Sequence, residues 1–468
     1  RLYDAGGRVS VPFAGGKGNL RAGGRYSYAG ALVSLLSNVE IGYWDYHLIG
    51  DYELTARDHV GVFSFGSYDY LYTDQLEPDD RKSGTEFHRV DLRWDHSVAA
   101  TTHSRLALTL GQDDTIGARG GVNKRMVALR SEVRHSLSPE LDVLTGGDIE
   151  LDHYNLELAT NSVYYQEFME LLRPRDDLEW GGYVGTEWRP TSRVLLATGV
   201  RGDLYRSDGV GALAVEPRVS AEIRLTPTLT AVHALGLAHQ PPGFVPGVPG
   251  AQMAGLRGGL QRALQASSGV RWRPASLWTT SVTGYESVVF NATDSLGTAR
   301  EFNLDFDVID RRSTAASYGL EFEVKRRFVG GWGGWLAYTL SRSTRTWGPI
   351  SSMAAFDRTH VFQAAANRDL GKHWTGGARL VAQSGVPTRY LEAAGPRFAA
   401  PYADPFFRLD LRFERRWELD DGAWWALVLE WLNATLQAET VTRSCADTCV
   451  SGRLGPVTIP SVGVEAGF

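Results

Sequence analysis

Over long stretches of this 468-residue chain, apolar and charged side chains take turns at every second position. In Phe407-Arg408-Leu409-Asp410-Leu411-Arg412-Phe413-Glu414 the alternation is strict, and it returns in Val90-Asp91-Leu92-Arg93-Trp94-Asp95. Tyr318-Gly319-Leu320-Glu321-Phe322-Glu323-Val324-Lys325 repeats it, and Val127 to Arg134 sets Val127, Leu129 and Val133 against Arg130, Glu132 and Arg134. An extended strand sends successive side chains to opposite faces, so each stretch predicts a strand with one apolar and one wet face. The stretches run about 10–16 residues, against a mode of about 5–6 in soluble proteins. A tilted strand crosses a bilayer in about 9–11 residues. The chain has no apolar run of about 18 residues that would make a membrane helix. The other route through hydrocarbon is a closed barrel, which satisfies its backbone groups between strands. Lipid then takes the apolar set and a wet interior the charges. The expected fold is all-β, a transmembrane antiparallel β-barrel.

Strands are expected near 1–13, 19–28, 43–55, 59–70, 86–97, 103–112, 122–136, 141–155, 177–189, 193–206, 213–225, 229–239, 262–273, 276–290, 313–328, 332–343, 358–369, 373–383, 405–417, 422–434 and 458–468. Short turns such as Thr55-Ala56-Arg57-Asp58, Leu225-Thr226-Pro227-Thr228 and Val329-Gly330-Gly331 join them in pairs, with Gly and Pro supplying the turn geometry. Long polar segments lie between, near 29–42, 71–85, 156–176, 239–261, 291–312, 344–357, 384–404 and 435–457. Short inner turns and long outer loops are the habit of outer-membrane barrels. Trp188, Trp272, Trp374 and Trp417 all stand beside short turns. They are expected in an interface girdle, where an amphipathic ring is favoured; the plain alternative for any one of them is ordinary packing. These 21 strands are an odd number, whereas antiparallel closure needs an even one. A barrel of about 22 strands follows if one is supplied from outside these residues. The alternative is a hidden strand in 29–42 or 435–457.

Composition is uniform from end to end, with 52 Gly, 11% aromatic residues and only 4 Met, so residues 1–468 are read as one barrel domain. The chain opens at Arg1 inside an expected strand and is read as mature, processed or truncated. A formal net charge of −6 gives no basic footprint for nucleic acid. Cys445 and Cys449 are the two cysteines. A loop disulfide in an oxidising compartment is the favoured reading, beside two free thiols or a metal site. Val462, Val464, Ala466 and Phe468 alternate to the chain end and resemble the signal read by barrel-insertion machinery.

Neither a G-x-S-x-G, an H-E-x-x-H nor a phosphate-binding Gly-rich motif occurs. No catalytic residue, metal site or cofactor is therefore expected. Scattered residues such as His59, His103, His153 and His360 read as interfacial or luminal, although spacing alone leaves a hydrolase site on a barrel rim open.

Several blocks, in order, resemble the TonB-dependent receptors. They are Glu216-Pro217-Arg218 with Arg224 to Thr230 and Gln240-Pro241-Pro242; Tyr318 to Glu321; Phe356-Asp357-Arg358-Thr359-His360; Ser384-Gly385-Val386-Pro387; and Arg408-Leu409-Asp410 through Glu430-Trp431-Leu432-Asn433. Tyr3-Asp4-Ala5-Gly6 and Phe65-Gly66-Ser67-Tyr68-Asp69 are similar to a branch common in myxobacteria. The resemblance implies a 22-stranded barrel in the bacterial outer membrane, filled by a plug and coupled to the TonB complex. This chain carries no plug domain and no TonB box, so both are expected from a segment supplied elsewhere. The implied function is import of a scarce nutrient such as a siderophore, cobalamin, saccharide or peptide, without covalent chemistry. Phe244, Arg345, Trp347, Arg389 and Tyr390, aromatic or basic residues of the long loops, are the candidate ligand contacts. The competing reading is a non-transporting barrel, either a scaffold for partner proteins or lipoproteins or an open pore.

Overall fold

The computed structural model describes residues 4–28, 30, 39–73, 82–117, 120–158, 174–242, 256, 258–293, 312–390, 402–419, 422–445 and 448–468. They form a 22-stranded antiparallel sheet and a separate 3-stranded one. The large sheet begins with β1 (Asp4–Phe13), β2 (Gly18–Ser27), β3 (Val39–Glu53), β4 (Asp58–Thr73), β5 (Lys82–Ala99), β6 (Thr102–Gly117), β7 (Gly120–Ser138) and β8 (Leu141–Leu158). It continues through β9 (Arg175–Thr191), β10 (Val194–Ser207), β11 (Val210–Arg224), β12 (Leu229–Gln240), β13 (Gln261–Trp272), β14 (Trp278–Ala292), β15 (Ser313–Val329) and β16 (Trp332–Trp347). Next come β17 (Ile350–Met353), β18 (His360–Gly371), β19 (Trp374–Gln383), then β20 (Arg389–Tyr390), β21 (Phe406–Glu418) and β22 (Trp424–Leu432). The chain ends with β23 (Glu439–Cys445), β24 (Cys449–Leu454) and β25 (Ile459–Gly467). β20, β23 and β24 make the small sheet.

Twenty-one strands of the large sheet have nine residues or more and match those expected from the alternation. The remaining member, β17, has four residues and pairs with the far end of β16, while β18 pairs with the near end. The short turns place β1 and β25 running in the same direction, and among the described residues no ladder joins them.

Register explains the two faces. Leu48, Ser64, Val90, Leu110, Val127, Leu151 and Leu178 are mutual partners across β3 to β9 and form one nearly apolar row. One residue along, the row reads Ile49, Phe63, Asp91, Thr109, Ala128, Glu150 and Glu179 on the opposite face. Leu92, Leu106, Leu110, Val127, Leu129 and Leu151 are all exposed and share the first face. A continuous exposed apolar surface of this kind is lipid-facing rather than aqueous. The wall is a single sheet thick, so fully buried large side chains are confined to places such as Val386, Val428 and Pro242.

Local chemistry sets the turns. In the β3–β4 turn the Thr55 hydroxyl accepts the backbone N–H groups of Arg57 and Asp58 at 3.1 and 3.0 Å. Thr226 does the same for Thr228 and Leu229 at 3.3 and 3.0 Å. The structure also revises strand ends. Residues 113–121 and 207–212 were expected between strands, but β6 and β7 run on to Gly117 and from Gly120. Asp208 and Gly209 (φ 46° and 80°) close β10 and β11 in the two-residue turn that positive φ permits. The reason is physical. Once two strands are in register the ladder continues beyond the bilayer, where both faces are wet and alternation disappears, as in Gln112-Asp113-Asp114-Thr115. The expected loops 344–357, 384–404 and 435–457 likewise hold β17, β20, β23 and β24, none of which spans the wall.

Candidate functional site

On the interior face, alternate positions of successive strands place acids and bases side by side. Arg21 meets Asp51 at 2.8 Å, Arg25 meets Asp45 at 2.7 Å, and Arg105 meets Asp95 at 2.6 Å. Arg134 joins Asp142 and Glu187, both at 2.7 Å. At the closing strands Arg412 reaches Glu414, Glu430 and Glu465 at 2.9, 2.5 and 3.4 Å, tying β21, β22 and β25 together. The most enclosed of these links crosses β9. Arg201 on β10 reaches Asp148 on β8 at 2.7 Å and Asp203 at 2.6 Å. It can do so because Gly181 lies beneath: a Cβ there would fall 2.3 Å from an Arg201 nitrogen and 2.1 Å from an Asp203 oxygen.

Toward the loop end of the same wall, Lys124 pairs with Asp152 at 2.6 Å and lies 5.6 Å from the ring centre of Tyr154. Arg175 covers that ring at 4.5 Å and bonds Asp177 at 3.1 Å. Leu256 and Leu260, which precede β13, pack on Tyr205, Ala212 and Ala214. The resulting cleft is walled by Glu150, Asp152, Asp177, Glu179, Tyr205 and Leu256. Such a surface offers hydroxyl, carboxylate and ring contacts to a polar solute entering from the loop side. Among the described residues, no group of three His, Cys, Asp or Glu is arranged to hold a metal ion.

A second cluster gathers three loops beyond β16, β19 and β22. The fully buried Asp357 carboxylate accepts the Ser343 N–H at 2.6 Å and an Arg342 N–H at 3.2 Å. Arg342 also donates to the Tyr402 hydroxyl and to Met353 Sδ. Arg358 bonds the Ser384 carbonyl at 2.7 Å and Glu439 at 2.8 Å, and Gln383 bonds Glu439 at 2.9 Å. Gly385 is required where the Ala403 carbonyl passes 1.8 Å from a would-be Cβ. β20 runs parallel to β23, with Arg389 opposite Ser444 and Tyr390 opposite Cys445. The Cys445–Cys449 disulfide joins β23 to β24, which realises the favoured reading of the cysteine pair.

Phe244 lies outside the described residues. Arg345 stands on β16, where it donates to Ser343 Oγ at 3.1 Å and the Thr344 carbonyl at 3.0 Å. Trp347 ends that strand opposite Ile350. Arg389 and Tyr390 form β20 of the small sheet, whereas Arg345 and Trp347 stand in the large one. Trp188 and Trp272 are exposed on the apolar face, and Trp374 lies opposite Arg415. Trp417 stacks on Trp425 with centroids 4.0 Å apart. Val462, Val464 and Ala466 face Leu429, Leu427 and Trp425 on β22, and Phe468 follows the strand fully exposed. Sequence reasoning did not find the Arg201–Gly181 crossing or the Arg342–Asp357–Tyr402 cluster. Each needs partners from separate segments; the sequence shows only a glycine in a strand and an aspartate in a loop.

A family model for the β-barrel of TonB-dependent receptor-like proteins matches residues 3–439. A search of curated proteins finds no match. Among solved structures, the ferric-catecholate import receptor Fiu of E. coli K12 is similar with a TM-score of 0.72 at 11% identity, over 99% of this chain and 81% of that one. The ferric citrate transporter FecA gives 0.73 at 11% identity, over 98% and 75%. The ferripyoverdine receptor of Pseudomonas aeruginosa gives 0.67 at 13%, over 96% and 70%. With the family match spanning nearly the whole wall, the chain belongs to the TonB-dependent receptor β-barrels, integral proteins of the Gram-negative outer membrane.

Proposed function

We propose that this barrel serves energy-coupled uptake of a scarce nutrient, with a ferric siderophore ahead of cobalamin, saccharide or peptide. The observation that carries the reading is the family match over residues 3–439, joined to an interior wall that carries charge pairs. Solved neighbours named for ferric catecholate, ferric citrate and ferripyoverdine are the support for reading an iron chelate first. Phe244, Arg345, Trp347, Arg389 and Tyr390 are the proposed ligand contacts on the outer loops. A plug, and an outward-running strand between β25 and β1, are supplied by a segment outside these residues and link the barrel to the TonB complex. Trp188, Trp272, Trp374 and Trp417 anchor the wall at the inner interface, and Val462 to Phe468 serve barrel assembly. A lipoprotein on the loop face is a further proposed partner.

The test is uptake of radiolabelled ferric catecholate, ferric citrate, cyanocobalamin and maltodextrin by cells producing the full-length protein, with and without a functional TonB. Saturable uptake of one probe that disappears without TonB is expected. Uptake that persists without TonB, or a large steady conductance from the full-length protein in planar bilayers, would instead establish an open pore.

A further inference from the structure

Many arginines of the wall are matched by a carboxylate or a carbonyl; among the described residues Arg415 has neither. Its strand, β21, alternates Leu409, Leu411, Phe413, Arg415 and Trp417 on the apolar face. Arg415 is opposite Trp374 on β19 and Leu427 on β22. Its guanidinium carbon lies 5.7 Å from the Trp374 ring centre and 4.7 Å from that of Trp417. Trp417 is backed in turn by Trp425, stacked on it with ring planes 8° from parallel. The carboxylates of its own strand, Glu414 and Glu418, are on the interior face, and Glu414 is taken by Arg412 and Arg416. Among the described residues, Arg415 Nε is buried with no hydrogen-bond partner. Contrast Arg326 on β15, which also packs on Trp278 and Trp332 but donates to the carbonyls of Arg327, Val329 and Trp332.

A cation held by two indoles at the lipid-facing edge, beside a short turn, lies at headgroup depth of the inner leaflet. Ring faces attract the cation but satisfy none of its N–H donors. A guanidinium fork matches a phosphate diester in both charge and donor geometry. We infer that Trp374, Arg415 and Trp417 form a binding site for one anionic glycerophospholipid of the periplasmic leaflet, its phosphate on Arg415 and its acyl chains along Phe413, Leu427 and Leu411. Zwitterionic lipids present the same phosphate with a tethered cation, which the site repels, so phosphatidylglycerol is preferred over phosphatidylcholine.

Native mass spectrometry of the full-length protein released from nanodiscs of mixed phosphatidylglycerol and phosphatidylcholine tests this. The wild type is expected to retain one phosphatidylglycerol against the bulk ratio, and Arg415→Gln to lose that preference by about ten-fold. Arg415→Lys should keep part of it, and Arg93→Gln, on the interior face, all of it. Equal retention of both lipids by the wild type overturns the proposal whatever the variants do, as does unchanged selectivity in a heat-modifiable, folded Arg415→Gln. Displacement of the lipid by millimolar inorganic phosphate would overturn the commitment to a lipid, because a free anion would then suffice.

Discussion

Gly181 shows how a residue without a side chain can position charged ones. Arg201 spans from β10 to Asp148 on β8 only because no Cβ rises from β9 between them. Gly181→Ala should therefore displace the guanidinium and leave Asp203, whose side chain is 1% exposed, poorly paired. A loss of about 1–3 kcal/mol is expected for a network left partly unsatisfied. The midpoint of the heat-modifiable gel shift in denaturant measures it, and an unchanged midpoint would show that the crossing contributes nothing. Asp357 makes the same point in a loop. Asp357→Ala removes the acceptor shared by Arg342 and the Ser343 N–H. Faster hydrogen exchange across 343–359, with the wall strands unchanged, is the expected readout.

Among elements, the small sheet is the one most separate from the wall. β20 contributes two residues and is held by parallel pairing to β23, whose hairpin with β24 is closed by Cys445–Cys449. Cutting that short loop with Cys445→Ser and Cys449→Ser should cost about 2 kcal/mol locally. The expected consequence is protease cleavage within 439–454 while the barrel keeps its heat-modifiable mobility; loss of the whole barrel would contradict the separation. β25 is the opposite case, an element fixed by the wall. Arg412 links it to β21 and β22 through Glu465 and Glu430. Arg412→Gln should raise hydrogen exchange in Ile459–Gly467 about five-fold or more, as expected for the loss of roughly 1 kcal/mol. No change there would leave the backbone ladder as the sole tether.

For the whole molecule, the division into lipid and water faces is the property everything else depends on. Leu108 and Thr109 are neighbours on β6 with opposite faces; Leu108 pairs with Leu92 and Leu129, while Thr109 bonds Asp91 at 2.9 Å. Leu108→Arg should destabilise the folded barrel in bilayers by about 2–4 kcal/mol, and Thr109→Arg by about 0–1 kcal/mol. Equal costs would sink the face assignment. This division was legible in the sequence because a period of two survives any rearrangement of the strands, as Val90 to Asp95 and Phe407 to Glu414 show. The twenty-one long strands and their short turns followed from it. The outer ends of β6, β7 and β11 did not, since residues wet on both faces carry no periodic signal. Nor could the sequence say that Arg389 and Tyr390 pair with β23, that Arg201 reaches across Gly181, or that Arg415 lies between Trp374 and Trp417. Solvent preference is written into each side chain and its neighbour, so local order determines the faces. Contacts between strands far apart in the chain depend on register and loop path, which are settled only when the whole sheet forms.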